Sequence, residues 1–91
     1  MKIVINDCYG GFGLSDIAVK ALGLRNSRSY IDRTDERLIA LVEACSDTAS
    51  GPYAELKVVE IPDSATDWEL EEYDGLESIL AVVDGKIVHI I

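Results

Sequence analysis

Two Asp-Gly pairs, Asp74-Gly75 and Asp84-Gly85, stand close together between runs rich in apolar and β-branched residues. An Asp-Gly pair supplies the two positive-φ positions of a type I′ turn, whose twist matches that of paired strands. The spacing therefore predicts a three-stranded meander over 68–73, 76–83 and 86–91. Two-residue turns oppose Tyr73 to Leu76 and Val83 to Lys86, and the register follows from there. One face carries Trp68, Leu70, Ile79, Ala81, Val83, Val88 and Ile90. The other carries Glu69, Glu71, Leu80, Val82, Ile87, His89 and Ile91. The last two strands are apolar on both faces, which places them in a sheet interior or under cover twice.

Upstream, 2–6 has the consecutive Ile3, Val4 and Ile5 of a short strand buried on both sides. Three glycines within 10–13 make the next stretch a loop. Ser15 and Asp16 are the cap and first-turn acid of a helix to Leu22, and Gly23 stops it. A second helix starts with Thr34 as its cap. Leu38, Leu41, Val42 and Cys45 then fall on one apolar stripe, which makes Cys45 a core thiol. A strand over 55–61 ends at Pro62. These elements predict an α+β domain spanning 1–91: a four- to five-stranded sheet with two helices packed on one side. A chain of 91 residues buries about 60% of its unfolded surface, enough for one modest core.

Seventeen acids against eight bases give a formal charge of −9. That balance excludes general binding to nucleic-acid backbone and disfavours anionic membrane surfaces, since nothing would replace the condensed counterions. An apolar share of 48% argues against disorder. The start lacks the apolar stretch of a signal peptide, and the longest apolar run, 79–83, is far too short to span a bilayer. The two cysteines, Cys8 and Cys45, fit neither a disulfide framework nor a zinc site. A soluble protein of a reducing cytoplasm, with no metal and no cofactor, is the expectation.

Two groups of residues can carry chemistry. The first is the loop over 8–15, where a strand, a Gly-Gly-x-Gly run and a helix start could present backbone N–H groups to an anion. Gly10, Gly11, Gly13 and Ser15 are the candidate contacts, with Arg28 or Arg33 supplying the charge. The spacing matches neither the dinucleotide fingerprint nor a P-loop, and glycine also serves a plain tight turn. Cys8, beside this loop, would need a base, and His89 could reach it only if the first and last strands paired. The second group is a run of eight acids and no base from Glu60 to Glu77. Glu69, Glu71, Glu72, Asp74 and Glu77 form its centre, with Glu72 and Glu77 directly opposed across the first hairpin. Like charges so placed oppose folding, and a basic partner would relieve them.

The segments Met1-Lys2-Ile3-Val4-Ile5-Asn6 and Cys8-Tyr9-Gly10-Gly11-Phe12 resemble a family of short proteins of bacteriophages and bacterial genomes. Asp32-Arg33-Thr34-Asp35, the stretch Leu56-Lys57-Val58-Val59-Glu60-Ile61-Pro62-Asp63, and Glu71-Glu72-Tyr73-Asp74-Gly75-x-Glu77 extend the likeness. After Glu77 this chain departs from that family's more polar tail. The resemblance implies a phage or prophage setting and brings no catalytic or binding residues with it. The resulting expectation is a non-enzymatic acidic binding protein that modulates or inhibits a basic, defence-related host protein. The alternatives are a nucleotide-like ligand or an enzyme built on the glycine loop, and a homo-oligomer joined through the apolar C-terminal hairpin.

Overall fold

The computed structural model describes residues 1–27 and 29–91. In chain order these form β1 (Lys2–Asn6), α1 (Asp16–Leu22), α2 (Glu36–Ala44), α3 (Ser46–Ala49), β2 (Leu56–Glu60), β3 (Ala65–Tyr73), β4 (Leu76–Val83) and β5 (Lys86–His89). The class is α+β, but the strands do not join the expected four- to five-stranded sheet. β1 and β2 make an antiparallel ribbon of two, and β3-β4-β5 make a separate antiparallel sheet of three. The ribbon fails to extend because the second edge of β1 is taken by irregular chain: the Val4 amide donates to the Arg33 carbonyl at 2.9 Å. A third helix, the short α3, joins the two that were expected.

The ribbon lies between the helices and the three-stranded sheet. On one side Val4 and Leu56 pack with Ala18, Leu22, Leu38 and Val42. On the other, Ile3, Ile5, Val59 and Ile61 pack with Ile79 and Ala81. This is why Ile3-Val4-Ile5 is apolar without interruption: successive side chains face different layers, and both layers are dry.

The meander matches its local chemistry. Tyr73 opposes Leu76 and Val83 opposes Lys86. Asp74 and Gly75 have φ of 52° and 90°, and Asp84 and Gly85 have 52° and 75°, as a type I′ turn requires. β3 starts earlier than expected, at Ala65, with a register irregularity between Ala65 and Asp67. The inward face, with Leu70, Val83, Val88 and Ile90, packs on the ribbon, and Ile91 joins it. The apolar C-terminal hairpin therefore uses most of its side chains inside the molecule.

The helix caps follow the sequence with one exchange. Ser15 caps α1 by accepting from the Ala18 amide, and Gly23 ends it in the left-handed region at φ 69°. For α2 the cap is Asp35, which accepts from the Arg37 and Leu38 amides, and not Thr34. Thr34 instead donates its hydroxyl to Asp32. Cys45 is not a core residue. The helical stripe reaches it only if α2 continues, yet α2 ends at Ala44, and Cys45 at φ −163° turns out to solvent.

The surface is 5803 Å², against roughly 5,200 Å² expected for a chain of this mass, and the molecule is elongated at 41 × 26 × 20 Å. Among the described residues no helix is long and apolar enough to cross a membrane.

Candidate functional site

Arg33 and Glu77 form a charge pair that ties three layers together. Arg33 donates through both terminal nitrogens to the two Glu77 oxygens, at 2.6 and 2.8 Å. Glu77 is 6% exposed and Arg33 23%. The guanidinium also lies over the Phe12 ring at 3.6 Å and donates to the Val4 carbonyl. Glu77 accepts in addition from the Asn6 amide at 2.8 Å. Asp32 sets up this placement from the flank: its carboxylate takes the Thr34 amide and hydroxyl, closing a tight turn around Arg33. The Thr34 hydroxyl, then its amide, hold the Asp32 carboxyl below the usual range.

Glu77 is thus removed from the acidic strip where the sequence placed it. Its repulsion with Glu72, which does stand opposite, is offset by Arg33. Glu72 also has a structural role, accepting from the Gly75 amide at 2.6 Å across the turn. A signal for Glu77 was present in the sequence: it is the acid in phase with Ile79 and Ala81 on the strand's inward face. Nothing in the sequence identified Arg33, a distant residue in a polar stretch, as its partner.

The glycine loop is a packing device. A Cβ on Gly10 would lie 1.6 Å from the Tyr53 carbonyl oxygen, so the loop and the chain at Tyr53 touch backbone to backbone. Farther along, the Gly51 amide donates to the Gly13 carbonyl, and Leu14 bridges to Ser50. The turn at Gly75 seats on the same loop, held by Asn6. That side chain is fully buried, donating to the Cys8 and Gly75 carbonyls and accepting from the Glu55 amide.

A cavity of about 230 Å³ runs beside Gly10, Gly11, Phe12, Gly13 and Tyr53. The cation assigned to it from sequence, Arg33, is engaged by Glu77. Ser15 directs its oxygen to its own helix. Arg28 lies outside the described residues.

The thiols are also placed differently from expectation. Cys8 is half-buried, and its single S–H lies within reach of both the Tyr53 carbonyl and Asn6 Oδ1, which share it. His89, on β5 opposite Leu80, does not approach it, since β1 pairs with β2. Cys45 accepts from the Thr48 hydroxyl at 3.0 Å, and this bond, then the Thr48 amide, hold its pKa below the ordinary thiol value. Iodoacetamide applied to the native protein is therefore expected to modify Cys45 before Cys8, with the Cys45 rate rising at a lower pH than for a free thiol, because the thiolate reacts. Mass spectrometry showing Cys8 modified first would contradict this order.

The remaining acids gather on the outward face of the meander. There β3 contributes Asp67, Glu69 and Glu71, all exposed and none in an ion pair among the described residues. Beside them, Asp67 opposes Val82, which opposes Ile87, and Glu69 opposes Leu80. Leu80, Val82 and Ile87 join neither core cluster, and Ile87 is 74% exposed. With Trp68 they line a shallow hollow of about 90 Å³. Asp74 is exposed at the end of this face, in the turn. Periodicity identified the residues of this face but not that it would be left uncovered.

No family model, curated protein or solved structure matches this chain.

Proposed function

We propose that this chain is a non-enzymatic acidic binding protein that modulates or inhibits a basic protein of the host cell, using the outward face of its meander. The supporting observation is the combination on that face: Ile87 exposed at the centre with Leu80 and Val82 half-buried beside it, and Asp67, Glu69 and Glu71 alongside without counter-charges among the described residues. An exposed apolar patch edged by one sign of charge is the usual make-up of a protein-docking surface, with the apolar centre supplying affinity and the charge supplying selection and on-rate. The phage or prophage setting comes from the sequence resemblance alone. Glu72 and Glu77, which have structural partners, are not part of the surface.

The test is capture from a bacterial lysate on the immobilised chain, repeated with Glu69→Gln/Glu71→Gln. The expected result is one basic protein held by the parent chain, with association slowed about tenfold or more in the double variant and a steep fall of the on-rate with salt. The melting temperature should not fall, because neither carboxylate has a partner to lose. Equal binding by both chains, or capture of no basic protein, overturns the proposal.

A further inference from the structure

We infer that the open edge of β3 accepts an extended, lysine- or arginine-bearing segment as an additional strand; this rests on the acidic-surface reading and specifies how the partner binds. β3 is the longest strand, nine residues, and it lies at the edge of its sheet. Among the described residues its backbone runs beside β4 alone, while Ala65 and Leu70 turn their side chains into the core shared with the ribbon. Exposed sheet edges are normally kept short or covered, because their unpaired backbone groups recruit other strands. The opposite edge, β5, obeys this rule with four residues. β3 does not.

The turn determines which backbone groups are on offer. In a two-residue hairpin the pair next to the turn, Tyr73 with Leu76, exchanges both hydrogen bonds, and every second pair does so after it. Glu71 with Ser78 and Glu69 with Leu80 follow that phase, so their N–H and C=O groups point into the sheet. Leu70 and Glu72 occupy the alternate positions, and their backbone groups point away from β4. The open stretch ends at Trp68, whose amide is taken by the Asp67 carboxylate at 2.8 Å. What remains is a short ladder centred on Leu70 and Glu72.

The side chains select what can pair there. A second copy of β3 would set Glu69, Glu71 and Glu72 against acids of its own kind, which opposes pairing. A strand with a basic residue at every second position would place its cations beside Glu69 and Glu71 on the outward face while its backbone completed the ladder. Strand addition of this sort draws affinity from the main chain and specificity from alternate side chains. The edge is closed to self-association and open to a basic chain.

The test uses a synthetic peptide alternating lysine and threonine, and the same peptide with every backbone amide methylated. The two carry equal charge, but the methylated one cannot donate to a ladder. The unmodified peptide should bind and slow hydrogen exchange at the Leu70 and Glu72 amides, followed by NMR, about tenfold or more, and the methylated peptide should bind at least about tenfold more weakly. Equal binding of the two peptides with exchange at Leu70 and Glu72 unchanged overturns strand addition and leaves the acidic face standing. Binding of neither peptide also overturns it, and the lysate capture then decides separately on the face.

Discussion

Replacing Gly75 with alanine should leave little folded protein, whereas the same replacement at Gly85 should be tolerated. The two glycines occupy equivalent positions in two Asp-Gly turns, with φ of 90° and 75°. For both, a side chain in the left-handed region costs about 1–2 kcal/mol. At Gly85 nothing lies within 4 Å of the added Cβ, so that is the whole cost. At Gly75 the Cβ would fall 2.5 Å from the Gly11 nitrogen and 2.6 Å from the Tyr9 carbonyl oxygen. Those atoms are backbone and cannot rotate away, so the hairpin must lift off the glycine loop. Lifting also breaks the Asn6 bond to the Gly75 carbonyl. The total should exceed about 4 kcal/mol, most of the stability a small domain possesses. Urea denaturation of both variants is the measurement. Equal losses would show that the turn does not depend on the loop beneath it.

Arg33→Ala should be the most damaging substitution of a charged residue, costing about 3–5 kcal/mol. It strips Glu77 of both ionic bonds while leaving the carboxylate buried with only the Asn6 amide as donor. It also uncovers Phe12 and frees the Val4 carbonyl. Lysine should recover only part of this loss, because it offers a point charge in place of a planar fork that matches the carboxylate and stacks on the ring. Removing both charges with Arg33→Met/Glu77→Met should cost less than the sum of the single changes, by about 2 kcal/mol or more. Denaturant midpoints of the four proteins in that cycle provide the test. Additive losses would mean that the pair is incidental and that the layers are joined by apolar contact alone.

These two cases show which parts of the molecule were legible in its sequence. The meander's two turns and its register from Trp68 onward match the reading, because Asp-Gly turns encode pairing within a few residues, while β3 begins earlier, at Ala65, and β5 ends at His89. Ser15 and Gly23 marked the limits of α1 for the same reason. The errors lie where a local pattern was completed by a distant segment. Asp35 displaced Thr34 as the cap of α2 because Asp32 had already engaged the threonine. Cys45 lay on an apolar stripe, but the helix carrying that stripe stopped one residue short of it. Ile3-Val4-Ile5 was correctly seen as buried twice, yet its covers are a helical layer and a separate sheet, not neighbouring strands. At the candidate surface, Glu69 and Glu71 share a face as the register predicts, but the reading expected cover over the apolar strands beside them, and that face is open. Glu72 and Glu77 were counted with them because sequence order hides a partner such as Arg33.

The separation into a local meander and a long-range ribbon also has a consequence in time. β3, β4 and β5 meet through two-residue connections, and such hairpins close in microseconds. The ribbon forms only when Lys2 finds Glu60 across most of the chain, and a closure of that length is slow. In refolding from denaturant, a meander that closes ahead of the ribbon has its inner apolar face bare and its longest edge unpaired, the form most prone to stack on its neighbours. The carboxylates along β3 are already in place then, and their mutual repulsion between chains keeps the early hairpins apart until the ribbon arrives to cover them.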